Sequence, residues 1–188
     1  MGALTLWRRA LNQPLITTDE EAMQLALAQA QLAYNAGEVP VGAVVVLDGE
    51  VIGQGFNQPI TTLDPSAHAE MVAVRNAAQN IGNYRLSGAT LYVTVEPCTM
   101  CTGLLIHSRI SRVVYGATEP KAGAIESALQ LAQQPFYNHL MQTQGGVLKE
   151  QCAQIMTDFF AMRRAAKKKL KKLSPAAGDS ARGKDASE

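Results

Sequence analysis

Apolar and polar positions along the chain fall into a short series of recognisable periods. Thr18 followed three residues later by Glu21 has the pattern of a capping box. Met23, Leu25, Ala26, Leu32 and Ala33 then supply apolar positions of a helix, and Gly37 is placed to end it. Two β-rich runs follow, VGAVVVL (41–47) and EVIGQGF (50–56), separated by Asp48-Gly49, which predicts a hairpin. A polar, proline-containing loop from Asn57 to Ser66 leads into a helical pattern over 67–80, stopped near Gly82. ATLYVTV (89–95) reads as a buried strand, and Pro97 suits the first turn of a helix running to Ser108. RVVYGA (112–117) reads as another strand.

Strand, helix and strand with short links imply a crossover and a parallel pair. With the hairpin this predicts an α/β layered domain, a mixed sheet covered by helices. Residues 119–149 are ambiguous, with one short helix expected over Ser127–Gln133, Pro135 as a breaker and a turn at Gly145-Gly146. Cys152, Ile155, Met156, Phe159 and Phe160 recur at helical spacing, so a last helix is expected over 149–173, ended by Ser174-Pro175. The expected organisation is therefore an extension over 1–18, a domain over 19–173 and a disordered tail over 174–188.

Composition narrows the class without naming it. With 188 residues, 47% hydrophobic and 18% charged, the chain is long enough and apolar enough to bury a core. Three cysteines are too few for a disulfide scaffold. The chain has no apolar run that could span a bilayer and no signal-peptide pattern in its first 20 residues, so a cytoplasmic protein without a membrane partner is expected. The net charge of +1 conceals an asymmetry. Residues 1–162 carry 8 basic and 13 acidic side chains, whereas RRAAKKKLKKL (163–173) carries 7 basic ones and no acid. Such a run is either a nucleic-acid patch or a solvated helix end.

The candidate chemistry lies in His68-Ala69-Glu70 and Pro97-Cys98-Thr99-Met100-Cys101. A CxxC can be a redox pair, half of a structural zinc site or a chance pair. At a helix start both sulfurs share one face, and the helix dipole favours thiolates there. A four-thiolate site would need two more cysteines, and Cys152 alone remains, so a bound metal requires histidine. His68 is the best candidate. If His68 stands at the irregular start of its helix and Glu70 in the first turn, the two side chains can converge. Cys98, Cys101 and His68 would then leave zinc a fourth position for water, the catalytic arrangement. Glu70 beside that water would act as general base and then acid; otherwise it is a surface carboxylate at a helix N-terminus.

These motifs resemble those of the zinc-dependent cytidine-deaminase-like superfamily, and closely those of bacterial tRNA-specific adenosine deaminases. That family is itself an example of the general HxE…PCxxC deaminase signature. The likeness covers residues 19–170 and includes EVPVGAVVV (38–46), VIGQGFNQPI (51–60), DPSAHAE (64–70), NYRL (83–86), ATLYVTVEPCTMC (89–101), IHSRI (106–110) and DFFAMRR (158–164). It implies a three-layer cytidine-deaminase-like fold with a central mixed sheet of about five strands. It also implies one Zn2+ per subunit, a homodimer and a tRNA anticodon stem-loop as partner. On this likeness Glu70 shuttles protons during attack on C6 of the wobble adenosine, giving inosine and ammonia. Asn57 and the backbone at Ala69 would contact the flipped base, and Glu38 would lie near the ribose. Phe159, Phe160, Arg163 and Arg164 would meet the anticodon stem-loop, although spacing alone reads the two phenylalanines as core. Family members commonly carry an aspartate after the VVYGA strand, facing the nucleotide 5′ of the target; this chain has Glu119, followed by Pro120.

Overall fold

The structure is a computed structural model that describes residues 15–173. Most of the expected extension and the whole expected tail lie outside the described residues. Helix α1 (Asp19–Asn35) begins on a complete capping box, with the Thr18 side chain accepting from the Glu21 N–H and the Glu21 carboxylate reaching back. It ends before Gly37, whose φ of +77 is the left-handed conformation glycine adopts without cost. Strands β1 (Gly42–Leu47) and β2 (Glu50–Phe56) form the predicted hairpin around Asp48-Gly49. A short helix, α2 (Pro59–Thr62), occupies the expected polar loop. Then come α3 (Ala69–Ile81), β3 (Thr90–Val95), α4 (Thr99–His107) and β4 (Arg112–Ala117). Helix α4 starts two residues later than the proline pattern predicts: Cys98 is the N-cap and Pro97 stands outside the helix.

Between β4 and the last helix the chain departs from expectation. Only a 3-10 turn (Leu131–Gln133) forms where a short α-helix was expected. Residues Gln142–Gly145 add an edge strand, β5, whose four residues are all exposed and carry no alternating apolar signal. Helix α5 (Lys149–Leu173) closes the described chain. No helix among the described residues is long and apolar enough to cross a membrane.

The sheet order is β2-β1-β3-β4-β5, with β1 antiparallel to both β2 and β3, and β3, β4 and β5 parallel. Side chains alternate across it. Val44, Val46, Tyr92 and Val114 enter a core with Met23 and Ala26 of α1 and Cys152 of α5. Val45, Leu91, Val93, Val113 and Tyr115 enter a second core with Val74 of α3 and Leu105 of α4. Both faces are covered, so the central strands read as continuous apolar runs. Glycines let the helices lie directly on the hairpin: a Cβ at Gly53 would come within 2.4 Å of the Ala73 carbonyl oxygen of α3.

Direction matters more than order. Because β1 opposes both neighbours, β2 runs the same way as β3 and β4. The carboxyl ends of these three strands therefore lie at one end of the sheet, where open α/β sheets place their ligands. Helices α1 and α5 run side by side in one direction, since Gln24 bonds Gln151 and Tyr34 bonds Met162. Tyr34 is followed by Glu38 and the start of β1, whose Gly42 faces Phe56 at the end of β2. Helix α5 beyond Met162 thus continues past this same end.

At the opposite end Asp19 ties α1 to the sheet. Its carboxylate accepts both Arg112 guanidinium nitrogens at 2.7 Å and the Tyr92 hydroxyl at 2.9 Å. The Arg112 hydrogen bonds hold its pKa below the ordinary 3.8 despite partial burial. A depressed carboxyl pKa stabilises the fold above the unfolded value and loses that contribution as pH falls through the folded one. Arg112→Ala should therefore cost about 2 kcal/mol at pH 7. In urea unfolding the gap from wild type should shrink as pH falls through the ordinary 3.8, where Asp19 of the unfolded chain takes up its proton, toward the lowered pKa of the folded state.

Candidate active site

The DPSAHAE run builds its own entry to α3. Asp64 accepts the Ser66 N–H at 2.8 Å and hydroxyl at 2.7 Å, a local turn that aspartate favours. The chain then reverses with Ala67 bonded to Asp64 and His68 to Ser66. His68 is the N-cap of α3 with extended backbone (φ −73, ψ 154), and Glu70 follows in the first turn. From the end of β2, Asn57 reaches across: its side-chain oxygen accepts the Ala69 N–H at 2.9 Å and so fixes where α3 begins.

Helix α4 presents the second half of the site. Cys98 is its N-cap and Cys101 lies one turn on, fully buried. The two sulfurs converge on His68, with Nδ1 at 3.8 Å from Cys98 Sγ and 3.6 Å from Cys101 Sγ. All three donors lie within 4.8 Å of one another. Zn–S bonds of about 2.3 Å and Zn–N bonds of about 2.0 Å at tetrahedral angles place donor atoms roughly 3.5–3.8 Å apart. Two thiols and an imidazole at these separations fit zinc, and three protein donors leave one position open.

The local electrostatics are those of thiols sharing protons. A hydrogen bond from Cys101 draws the Cys98 thiol down to about 4, and the same bond, with burial, pushes Cys101 up. Glu70, 4% exposed, adjoins them. Burial raises its pKa against the lowering effect of its own N–H, and its carboxyl bonds Cys101. Glu70 is the buried carboxyl next to the donor set.

The other predicted residues are spread around this end of the sheet. Glu38 is buried, with Oε1 accepting the Thr61 N–H at 2.7 Å and hydroxyl at 2.8 Å, while Oε2 has no partner among the described residues. Glu119 is half-buried on the segment after β4, its carboxylate accepting the Lys121 N–H at 3.0 Å. Phe159 is 3% exposed and packs edge-on to Tyr34, so it serves the core, whereas Phe160 is 41% exposed. Arg163 lies 5.9 Å over the Phe159 ring, and Phe160, Arg163, Arg164, Lys167 and Leu170 line one stripe of α5. Among the described residues, neither Glu38 nor Glu119 nor any residue of α5 joins the His68, Cys98 and Cys101 donor group.

Glu96 belongs to this region too; it lies within the ATLYVTVEPCTMC run (89–101), where the motif assigns it no role. Between the end of β3 and Pro97, it is 3% exposed, and its carboxylate gathers the N–H groups of Glu119, Ile125, Glu126 and Ser127 at 2.8–3.1 Å. Burial pulls this carboxyl up, but the Glu126 and Ser127 donors and the Glu119 N–H hold it below the usual range. The available signal was an acidic residue directly after a strand read as buried, since a buried carboxylate needs partners.

Fold and donor set together define a zinc-binding deaminase domain. A family model described as the cytidine and deoxycytidylate deaminase zinc-binding region matches residues 16–117, and the chain belongs to this family. It is 49% identical over 162 residues to a tRNA-specific adenosine deaminase of Haemophilus influenzae, covering 86% of this chain and 94% of that protein. It is 42% identical to the protein of the same description from Bacillus subtilis, over 84% of this chain and 98% of that one. A solved structure from a study of A-to-I editing by tRNA:A34 deaminases at the wobble position superposes with a TM-score of 0.70. That match has 44% identity over 72% of this chain and 98% of the other.

Metal analysis of the purified protein should find one zinc per chain. Cys98→Ser and Cys101→Ser should each lower that content to less than about a tenth, because thiolates dominate the donor set. Cys152→Ala should leave it unchanged, since Cys152 is buried beside Gly116, away from His68.

Proposed function

We propose that the protein is a tRNA-specific adenosine deaminase that converts the wobble adenosine of an anticodon to inosine, with water consumed and ammonia released. The observation that carries this reading is the buried Glu70 carboxyl beside the His68, Cys98 and Cys101 donors. The high identity to proteins of that description supplies the substrate. His68, Cys98 and Cys101 would hold the zinc, which when bound acts as a Lewis acid that activates water for attack on C6.

Glu70 would take one proton from that water and deliver it to the purine ring, and would then carry the second proton, from the hydroxyl added at C6, to the departing amino group. Asn57 donates nothing to Ala69; it accepts there, so its Nδ2 is left as the donating end to offer to the flipped base. The Ala69 backbone, fixed by the same bond, would line the pocket. Glu38 would lie near the ribose, with its Oε2 buried and without a partner among the described residues. Glu119 would face the nucleotide 5′ of the target.

The stem would lie along the end of α5, where Phe160, Arg163 and Arg164 form an exposed aromatic and basic stripe. This supports RNA contact because the run projects past the end of the sheet that holds the zinc donors. Phe159 would act from beneath, by setting Arg163. The enzyme is proposed as a cytoplasmic homodimer. Exposed Phe136 and Leu140 next to the Arg109–Asn138 hydrogen bond supply apolar surface for a partner, and sedimentation would report the mass.

The deciding experiment is nucleoside analysis after incubation with total tRNA and, separately, with free adenosine, cytidine and guanine. Inosine should appear in the tRNA incubation alone; product from a free base or nucleoside would overturn the substrate assignment. Glu70→Ala should keep its zinc and lose at least about 10²–10⁴-fold in kcat. Truncation after Met162 removes the seven basic residues of 163–173. It should weaken tRNA binding and flatten the plot of log affinity against log salt by about 0.9 for each phosphate no longer neutralised.

A further inference from the structure

The segment after β4 forms no regular element between Thr118 and Gln130, yet it is held closely. Its backbone donors need acceptors once buried, and one side chain takes four of them. Glu96 Oε1 accepts from the N–H groups of Ile125 (3.1 Å), Glu126 (2.8 Å) and Ser127 (3.0 Å). Glu96 Oε2 accepts from the Glu119 N–H at 3.0 Å and from the Ser127 hydroxyl. Five donors, drawn from both ends of the segment, thus meet on one carboxylate. Gly123 passes so close that a Cβ there would fall 2.4 Å from the Glu96 carboxyl carbon.

The same carboxylate is tied to the metal helix. Glu96 stands two residues before Cys98, and its own N–H donates to the Ala117 carbonyl at 2.9 Å. Gly123 pairs with Cys98 across an isolated bridge, and the Ala124 N–H donates to the Pro97 carbonyl at 2.8 Å. The interior side of the segment, through Ile125, is buried, while Thr118, Pro120, Lys121 and Ala122 remain exposed beside the half-buried Glu119. Where the exposed side sits relative to the donors is therefore set by Glu96.

We propose that Glu96 is a positioning residue for specificity: it sets the Glu119–Ser127 segment against the substrate opening and so governs which nucleotide is accepted next to the target. This rests on the reading of the chain as an RNA adenosine deaminase. Glu119→Asp or →Ala would alter one contact; Glu96→Gln alters the frame that carries it, because its amide nitrogen must face a donor where an oxygen accepted before.

The test compares wild type with Glu96→Gln on anticodon stem-loops that differ in the nucleotide 5′ of the adenosine. The variant is expected to keep one zinc per chain and to lose amide-exchange protection across 119–127. Its KM should rise by about tenfold, more than its kcat falls, and the rate differences among the stem-loops should shrink. Unchanged flanking preference despite lost protection would overturn the proposal, as would zinc loss in step with activity, which would assign Glu96 to the metal centre instead. If Glu96→Gln does not fold, Ser127→Ala removes a single hydroxyl donor from Oε2 and should move the same quantities in the same direction by less; no movement overturns the proposal. A wild-type protein that makes no inosine from any stem-loop would refute the underlying reading. The exchange measurement still reports whether Glu96 holds the segment.

Discussion

The common direction of β2, β3 and β4 is the constraint on which the site depends. Each chemical group is delivered by the few residues that follow one of these strands. Asn57 and then His68 and Glu70 come after β2; Glu96, Cys98 and Cys101 come after β3; Glu119 comes after β4. Had β1 not stood antiparallel between β2 and β3, the histidine and the cysteines would lie at opposite ends of the sheet. The metal donors are then brought within reach by two helices starting side by side. Both faces of the sheet are buried, so these starts are held by packing rather than by the donors alone. A scaffold fixed by two cores suits a site whose geometry must be held to fractions of an ångström.

Charge is divided along the same axis. The body carries more acid than base, yet α5 runs parallel to α1 and carries its basic residues beyond the end where the strands finish. An even distribution of the same charges would give the same net +1 and no directional field. Segregation lets a polyanion be attracted to one end while the acidic body repels it elsewhere. Periodicity could not separate the roles of Phe159 and Phe160. Adjacent positions on a helix point about 100° apart, so one enters the core against Tyr34 and the other joins the basic stripe.

Elements with strong periods were legible in advance: α1 with its capping box, the Asp-Gly hairpin, β3, β4 and α5. So was the irregular start of α3, because only a histidine outside the regular helix can converge with a glutamate two residues on. What was not legible shares a physical cause. Strand β5 is exposed along its length and pairs through its backbone with β4, so its side chains carry no alternation to read. The expected helix over 127–133 loses because Ser127 is recruited by Glu96 and the turn that remains is closed by Gln130 and Leu131. Helix propensity is weak beside several hydrogen bonds to a buried carboxylate. The role of Glu96 was hidden for the converse reason: most of its partners are backbone groups 23 to 31 residues away, and a pattern of side chains does not report where backbone donors will go.

Glu70 and Glu96 show how one residue type acquires two characters in a single fold. Both are buried, with exposures of 4% and 3%. Burial without sufficient donors raises the Glu70 carboxyl, leaving it able to carry a proton next to the donor set. Burial with five donors holds Glu96 ionised and anchored. Exchanging their surroundings would exchange their roles: a carboxylate saturated with N–H groups has no free oxygen with which to move a proton, and one left sparsely bonded cannot organise a loop. The contrast follows from where each stands relative to the helix start beside it. Glu70 lies in the first turn of α3, where the Ala69 N–H is already taken by Asn57 and the carboxyl meets its own N–H, whereas Glu96 precedes α4 and faces an irregular segment that turns four backbone N–H groups toward it. The placement of each glutamate relative to its helix start therefore decides whether it serves chemistry or architecture.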